Sequence, residues 1–337
     1  MISNETLQKL KETAIAMVTP GKGILAADES FGNINKKFEK LGIPVTEENR
    51  RAYRELLFTA PGIGDYISGV ILFDETIRQS AADGRTLVKV LEDSGVIPGI
   101  KVDEGPEKIG DTLETHTKGL EGLPARLSEY AKLGARFAKW RAVITIGEGI
   151  PTDAAIRANA KELASYALMC QEAGIVPIVE PEVLMDWSNS QEVCRSVTER
   201  TLTAVFEELK NAGVAIEGII LKPNMVVPGK ESGVKASPEE VAKATTELFK
   251  KVLPSNLPGA VFLSGGQSEV EATENLNAMN KLGAYRWKLS FSYGRALQAS
   301  ALKLWNGKSE NVKAAQDAFI KRAKMNSLAT LGTYSGE

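Results

Sequence analysis

Short apolar runs rich in β-branched residues recur along the chain at a spacing of about 38 residues. Each run has the length and composition of a buried β-strand, and the runs span residues 21–29, 66–74, 96–103, 135–146, 174–183, 215–225, 259–266 and 287–293. No linker rich in proline, serine or charge separates them. The pattern therefore predicts eight strands within a single domain, residues 1–337.

Sequences with helical periodicity lie between the strands. Residues 1–18 are predicted to form an amphipathic helix capped by Ser3, and residues 153–173, 191–209 and 294–331 are also predicted to be helical. The apolar side of the first helix is expected to carry Leu7, Leu10, Ile15 and Val18, and that of 191–209 to carry Val193, Val197, Leu202, Val205 and Leu209. Further helices are predicted to begin at Ser237, with a capping box, and at Ser268.

Regular alternation of strand and helix is typical of parallel βαβ units. The strands are apolar almost throughout, as expected of a sheet that helices cover. We therefore predict an α/β fold, a (β/α)8 TIM barrel with a closed, parallel, eight-stranded sheet and extra N- and C-terminal helices. A doubly wound open sheet is the alternative.

Composition removes several classes of function. The chain has 41 basic and 43 acidic residues, so it lacks the cationic field of a general nucleic-acid-binding protein, although a local basic pocket for a small anion remains allowed. A single histidine, His116, excludes a zinc site built from several imidazoles, and we expect it to be a solvated loop residue in the polar stretch 104–122. Cys170 and Cys194 are expected to be ordinary core or helix-surface residues of a cytoplasmic protein. No apolar run is long enough to span a membrane.

Charged residues stand where the buried strands should end, which is where barrel enzymes carry their chemistry. The candidates are Asp28, Lys101, Lys139, Arg141, Glu180, Glu182 and Lys222. If these side chains faced outward, each charge would be buried against an apolar helix at a cost of several kcal/mol. We therefore expect them to lie in the barrel mouth. Any one lysine could instead be a snorkelling surface residue, but that reading does not account for charges on five strands.

Lys222 is the strongest candidate for a nucleophile. A lysine amine attacks a carbonyl only after it loses its proton, and burial and neighbouring cations favour that loss. Lys139 and Arg141 are predicted to supply the repulsion, and Glu180 and Glu182 to supply acid and base. This set indicates Schiff-base chemistry on a ketone.

Glycine-containing segments after the seventh and eighth strands indicate a phosphate site. Ser264 and Gly265 follow the seventh strand, and Ser292, Gly294 and Arg295 follow or end the eighth. Backbone N–H groups of these loops commonly bind phosphate in barrels, and an arginine adds a bidentate partner. A glycine pair alone is equally typical of a simple turn.

The segments that carry these residues resemble one known family. They are GKGILAADES (21–30), GVILFDET (69–76), GIKVD (99–103), FAKWR (137–141), VPIVEPE (176–182), LKPNMV (221–226), FLSGGQS (262–268) and FSYGRALQASALK (291–303). In order and over essentially the whole chain, they are similar to those of class I fructose-bisphosphate aldolase. The resemblance implies a (β/α)8 barrel that reversibly cleaves fructose 1,6-bisphosphate to two triose phosphates without a metal or cofactor.

The resemblance also implies a role for each candidate residue. Lys222 resembles the Schiff-base lysine, Glu180 the acid/base that dehydrates the carbinolamine, and Glu182 its supporting carboxylate. Lys139 resembles a proton-shuttling lysine, and Asp28 the carboxylate that acts on the C4 hydroxyl. The residues that resemble the substrate-binding and phosphate-binding sets are Lys101, Arg141, Ser30, Lys37, Ser264, Gly265, Ser292, Gly294 and Arg295.

Two features depart from many relatives. Lys37 stands where they carry arginine, so the fork that binds phosphate oxygens is lost there. Tyr334 matches the segment before a tail whose final tyrosine assists proton transfer in relatives, so the group that serves this step here stays open. The resemblance implies sugar-phosphate ligands, no nucleic-acid or membrane partner and a homotetramer, with sedoheptulose 1,7-bisphosphate as a second substrate. A transaldolase-like barrel enzyme and a non-catalytic scaffold are the alternatives.

Overall fold

A computed structural model describes residues 2–336 of the chain. Its strands, in chain order, are β1 (Gly23–Ala26), β2 (Ile67–Leu72), β3 (Ile97–Lys101), β4 (Pro106–Lys108), β5 (Thr115–Thr117), β6 (Phe137–Ile144), β7 (Val176–Val183), β8 (Ile220–Leu221), β9 (Gly259–Phe262) and β10 (Lys288–Tyr293). Eight of them pair in parallel in the order β1-β10-β9-β8-β7-β6-β3-β2, and β1 pairs with both β2 and β10. The sheet is therefore closed, which confirms the predicted barrel and excludes the open sheet.

The helices cover this barrel. They are α1 (Asn4–Met17), α2 (Phe31–Lys40), α3 (Glu47–Phe58), α4 (Ile63–Tyr66), α5 (Asp74–Ile77), α6 (Leu87–Asp93), α7 (Leu123–Lys132), α8 (Asp153–Glu172), α9 (Gln191–Asn211), α10 (Pro238–Val252), α11 (Glu269–Lys281), α12 (Arg295–Trp305) and α13 (Val312–Thr330). Short 3-10 turns lie at Ile216–Gly218, Lys230–Ser232 and Ser309–Asn311. Within residues 2–336, no helix is long and apolar enough to cross a membrane.

Local sequence signals set several helix ends. Ser3 accepts a hydrogen bond from the Thr6 N–H, and Ser237 and Ser268 each form a complete capping box. The predicted C-terminal helix is instead two helices, because Asn306 adopts a left-handed conformation that ends α12. The sixth predicted strand, 215–225, is also shorter than expected, since a 3-10 turn occupies its first part.

Helix α1 closes the amino-terminal end of the barrel. Leu10, Ala14 and Met17 are buried in one apolar cluster with inward-facing strand residues such as Ile178. The prediction for Ile15 is wrong, since its side chain is 62% exposed. The buried side of α1 is therefore rotated from the predicted one and includes Ala14 and Met17 in place of Ile15.

The region around His116 differs from the predicted loop. Residues of β4 and β5 form an antiparallel hairpin, in which His116 is opposite Glu107 and its Nδ1 lies 3.0 Å from Glu162 Oε1. Hydroxyl groups of Thr115 and Thr117 donate to carbonyl groups of β6 and so attach the hairpin to the barrel. Polar residues that suggested a solvated loop instead form these hydrogen bonds and ion pairs.

The burial of α8 and α9 agrees with the sequence predictions with one exception. Cys170 in α8 and Cys194 in α9 are both free and buried, as predicted. Along α9, the predicted apolar side is buried except at Val193, which is 43% exposed near the start of the helix. The helices thus pack on the sheet through the faces that their periodicity indicates.

Candidate active site

A cleft of about 1110 Å³ opens at the carboxyl ends of the barrel strands. All of the site residues predicted from the sequence line it: Asp28, Ser30, Lys37, Lys101, Lys139, Arg141, Glu180, Glu182, Lys222, Ser264, Gly265, Ser292, Gly294 and Arg295. Barrel closure brings them together, because they come from segments spread over almost the whole chain. The structure establishes this shared location, while their individual roles stay predictions.

Strand register aligns the charged residues in layers. Lys101 at the end of β3 is opposite Lys139 on β6, and Arg141 is opposite Glu180 on β7. Lys222 directly follows β8, and its backbone N–H continues the sheet by donating to the Val179 carbonyl of β7. The lysines and carboxylates therefore lie on strands or within two residues of a strand end.

Glu180 lies between two ammonium groups. Its Oε1 is 3.1 Å from Lys222 Nζ, and its Oε2 is 3.6 Å from Lys139 Nζ. All three side chains are almost completely buried. The charged group in contact with Lys222 is thus Glu180, one of the two carboxylates predicted to supply acid and base. A carboxylate at hydrogen-bond distance can exchange a proton directly with the amine.

Lys139 is surrounded by acids. Its Nζ lies 2.8 Å from Asp28 and 3.4 Å from Asp103, in addition to the contact with Glu180. Burial disfavours its charge, but the attraction of these carboxylates outweighs burial and raises the pKa of Lys139 well above its ordinary value. Lys139 is therefore an ammonium group throughout the physiological pH range.

Asp28 is held in the opposite state. Burial alone would raise its pKa, but the charges of Lys139 and Lys222 prevail and lower the pKa of Asp28 below its usual range. It is therefore an ionised acceptor at neutral pH. Its position two residues beyond β1 directs the carboxylate into the cleft mouth.

Glu182 and Arg141 form their own pair. The Glu182 carboxylate lies 2.5 Å from Arg141 Nε. Burial opposes the charge of Arg141, but Glu182 and then Glu180 raise the pKa of Arg141 above its ordinary value. Glu182 thus holds a cleft cation rather than contacting Lys222 itself.

The loop after β9 and the start of α12 meet at one side of the cleft. Gly265 has φ +51°, a conformation that favours glycine, and a Cβ atom there would lie 2.4 Å from Met185 Cε, so a larger residue would require the Met185 side chain to move. The Arg295 guanidinium donates to the Gly265 carbonyl and links the two segments. Within residues 2–336, the buried Ser292 hydroxyl makes no hydrogen bond, which leaves it available to a ligand.

Two charged residues that line the cleft and contact predicted lysines, Asp103 and Glu29, were not predicted from the sequence, and neither was Arg54, which contacts Glu29. Asp103 contacts both Lys101 and Lys139, and Glu29 lies 2.6 Å from both Lys37 and Arg54. Asp103 and Glu29 stand inside the segments GIKVD and AADES, so strand-end position could have identified them. Arg54 lies in a charged stretch of α3, where nothing local distinguishes it from exposed neighbours.

The described residues contain no group of three or more His, Cys, Asp or Glu side chains arranged to hold a metal ion. Lysines stand between the cleft carboxylates instead. The electrostatic partners of the acids in this cleft are therefore ammonium groups of the chain itself.

A family model described as "Fructose-bisphosphate aldolase class-I" matches residues 9–337. The chain belongs to the class-I fructose-bisphosphate aldolase family. This is a lyase family, and the match confirms the resemblance seen in the sequence segments. Fructose-bisphosphate aldolase function is supported over nearly the full length of the chain.

Individual aldolases are similar over almost their whole length. The chain is 56% identical to "Fructose-bisphosphate aldolase 4, cytosolic" of Arabidopsis thaliana, over 95% of this chain and 82% of that protein. It is 55% identical to "Probable fructose-bisphosphate aldolase class 1" of Xanthomonas campestris pv. campestris, over 98% and 100%. A crystal structure of the Plasmodium falciparum aldolase, in complex with TRAP and a small-molecule inhibitor, superposes with a TM-score of 0.98 at 49% identity, over 100% of this chain and 98% of that one.

Proposed function

We propose that this chain reversibly cleaves fructose 1,6-bisphosphate to dihydroxyacetone phosphate and glyceraldehyde 3-phosphate through a Schiff base on Lys222, without a metal ion. The observation that carries the proposal is the buried Lys222–Glu180–Lys139 arrangement, with a carboxylate 3.1 Å from the amine at the end of a rigid strand. A lysine in this setting has a proton acceptor at hand and sits in a cleft large enough for a sugar bisphosphate.

The first steps form the imine. Glu180 accepts a proton from Lys222, and the free amine adds to the C2 carbonyl of the open-chain sugar to give a carbinolamine. Glu180 then protonates the carbinolamine hydroxyl, which leaves as water, and the protonated imine remains. Its positive charge makes C2 the electron sink for the next step.

Cleavage follows at the C3–C4 bond. The ionised Asp28 accepts the proton of the C4 hydroxyl, the C4 oxygen forms the aldehyde carbonyl, and the C3–C4 electron pair moves into the imine to give an enamine. Lys139, held as an ammonium group 2.8 Å from Asp28, stabilises the negative charge that develops on oxygen. Protonation at C3 and hydrolysis of the imine then release dihydroxyacetone phosphate and restore Lys222.

Two groups of residues are proposed to hold the phosphates. Ser264, Gly265, Ser292, Gly294 and Arg295 would bind the C1 phosphate through hydroxyl, backbone N–H and guanidinium donors. The second phosphate would be bound on the other side of the cleft, by Ser30, Lys37, Lys101 and Arg141. Two separated cation sets fit a bisphosphate better than the monophosphates of a transaldolase.

Trapping with borohydride tests the mechanism. Incubation with dihydroxyacetone phosphate and borohydride should reduce the imine and add a stable mass to the peptide containing Lys222. Lys222→Met should remove both the label and cleavage, while Lys210→Met, at the end of α9 and outside the cleft, serves as the matched control. Wild-type enzyme without label on Lys222 would refute the Schiff-base proposal, and a non-catalytic scaffold would show neither label nor cleavage.

Metal independence has its own test. The proposal predicts full cleavage activity after exhaustive treatment with a chelator, because Lys222 supplies the electron sink. Loss of activity in chelator, restored by a divalent cation, would contradict it.

We also propose sedoheptulose 1,7-bisphosphate as a second substrate, a cytoplasmic homotetramer as the working form, and roles in both glycolysis and gluconeogenesis. The cytosolic relatives support the compartment, and the cleft volume supports a sugar longer by one carbon. Cleavage assays with the heptulose bisphosphate test the substrate, light scattering after gel filtration tests the assembly, and fractionation tests the compartment.

A further inference from the structure

Asp103 stands at the junction of two predicted functional lysines, although its own role is not explained by the chemistry above. It lies two residues beyond Lys101, the last residue of β3, and its side chain is only 4% exposed. Oδ1 lies 2.7 Å from Lys101 Nζ, and Oδ2 lies 3.4 Å from Lys139 Nζ. One carboxylate therefore bridges ammonium groups on neighbouring strands.

The carboxylate is itself fixed by the backbone. Oδ2 accepts a hydrogen bond from the Arg141 N–H at 3.3 Å, and Oδ1 accepts one from the Gly105 N–H at the same distance. The preceding residue, Val102, donates to the Lys139 carbonyl and extends the β3–β6 pairing by one step. The position of Asp103 is thus defined by the sheet, which gives it the rigidity that a support needs.

Lys101 depends on Asp103 more than Lys139 does. Both polar contacts of Lys101 within the described residues go to Asp103, one to its carboxylate and one to its carbonyl oxygen. Lys139 keeps Asp28 and Glu180 when Asp103 is absent. Without the Asp103 charge, the two ammonium groups would repel each other across paired positions of β3 and β6.

We propose that Asp103 is a positioning residue that holds Lys101 and Lys139 at a fixed separation in the cleft. It touches no substrate in this scheme and acts only through the two lysines. The inference rests on the proposed aldolase function, in which Lys101 binds substrate and Lys139 stabilises charge during cleavage. Loss of the Asp103 carboxylate should therefore raise KM, because Lys101 is displaced, and lower kcat, because Lys139 is displaced.

Asp103→Asn tests the role, since asparagine keeps the shape and an acceptor for one of the two backbone N–H groups but removes the charge. We expect kcat for fructose 1,6-bisphosphate to fall about 100-fold, the loss typical of a catalytic group displaced by about 1 Å. Borohydride labelling of Lys222 should stay at the wild-type extent, because Lys222 contacts Glu180 and not Asp103. Asp65→Asn is the matched control, as it is the same substitution at an exposed aspartate of α4 that does not line the cleft.

A double-mutant cycle identifies the route of the effect. In a Lys101→Met background, Asp103→Asn should lower kcat again but leave KM unchanged, because the lysine that controls KM is already absent. Asp65→Asn should have no effect in either background. Equal changes of KM from Asp103→Asn with and without Lys101 would overturn the inference.

A second pair of variants covers the case in which Asp103→Asn fails to fold. Asp103→Glu and Asp103→Gln have the same size and differ in charge, so the positioning role predicts higher kcat for the glutamate variant. Equal kcat in the two variants, or wild-type kcat and KM in Asp103→Asn, would refute the inference. Absence of label on Lys222 in the wild-type enzyme would instead refute the proposed function, so the two failures are distinguishable.

Discussion

The charges at the centre of the cleft alternate in sign over distances of about one hydrogen bond. Lys139 contacts Asp28, Asp103 and Glu180, and Glu180 also contacts Lys222. Removing one partner of such a buried pair leaves an uncompensated charge, which costs about 3–5 kcal/mol. A substitution that removes one of these charges should therefore be measured for stability as well as for catalysis, so that the two effects can be separated.

Arg295 offers a test of the phosphate loop. Arg295→Ala should raise KM for fructose 1,6-bisphosphate by about 10-fold to 100-fold, since one hydrogen bond to a charged group contributes about 1.5–3 kcal/mol. Steady-state kinetics would measure the change, with melting temperature as the check on folding. Arg286→Ala, at an exposed arginine outside the cleft, should leave KM at its wild-type value.

Lys37 tests the second phosphate site. Lys37→Ala should lower kcat/KM for fructose 1,6-bisphosphate by about 10-fold, the loss expected when one charge-assisted contact of about 1.5 kcal/mol is removed. Cleavage of fructose 1-phosphate, which lacks the second phosphate, should be unchanged, so the ratio of the two rates is the measurement. Lys132→Ala at the end of α7 is the control, and an equal loss with both substrates would contradict the assignment.

Position at a strand end identifies several candidate residues from the sequence. It does not show which of these side chains are in contact. Asp28, Lys101 and Lys222 follow apolar runs, so their approximate location follows from the barrel alone. Which charges touch depends on side-chain direction and on register between distant segments. That is why the sequence does not identify Asp103, which contacts both Lys101 and Lys139.

At the scale of elements, periodicity predicts that a strand or helix exists better than it predicts the residues at which that element begins and ends. All eight barrel strands lie inside the predicted runs, because a buried strand needs continuous apolar sequence. The β4–β5 hairpin was missed, since its polar residues satisfy each other and neighbouring β6 rather than forming an apolar core. Asn306 likewise ends α12 through a backbone conformation that periodicity does not encode.

Helix α1 provides an element-scale test, because the predicted and observed faces differ. Leu10→Ala should lower the free energy of unfolding by about 2–5 kcal/mol through a cavity at the base of the barrel. Ile15→Ala should change it by less than about 0.5 kcal/mol, as expected of an exposed position. Denaturant titrations of both variants compare the faces directly, and equal losses would show that Ile15 is also buried.

At the scale of the whole molecule, Glu29 joins two helices that both follow β1 in the chain. Its carboxylate lies between Lys37 of α2 and Arg54 of α3, and Arg54 is 3% exposed. Burial alone would raise the pKa of Glu29, but the two cations outweigh it and hold that pKa far below its usual range. These two ion pairs therefore attach α2 and α3 to Glu29 in the cleft wall.

The stability that the Glu29 ion pairs contribute depends on pH with a definite sign. A carboxyl group with a depressed pKa stabilises the fold above its unfolded pKa, about 4.3, and loses that contribution as the pH falls toward the folded value. Glu29→Gln should lower the free energy of unfolding by about 3–5 kcal/mol at pH 7, and by less at pH 3. Denaturant titration at both pH values measures the difference. Glu12→Gln, on the exposed side of α1, should match the wild type at both.

Closure of the barrel joins the two ends of the chain. Asp28 comes just after β1 and Arg295 just after β10, and only the pairing of these strands brings both residues to one cleft. During synthesis on the ribosome, Asp28 is therefore made long before Arg295. A nascent chain that still lacked β10 would have an open sheet and a cleft without Arg295, so we expect turnover of sugar phosphate to begin only after β10 has been made.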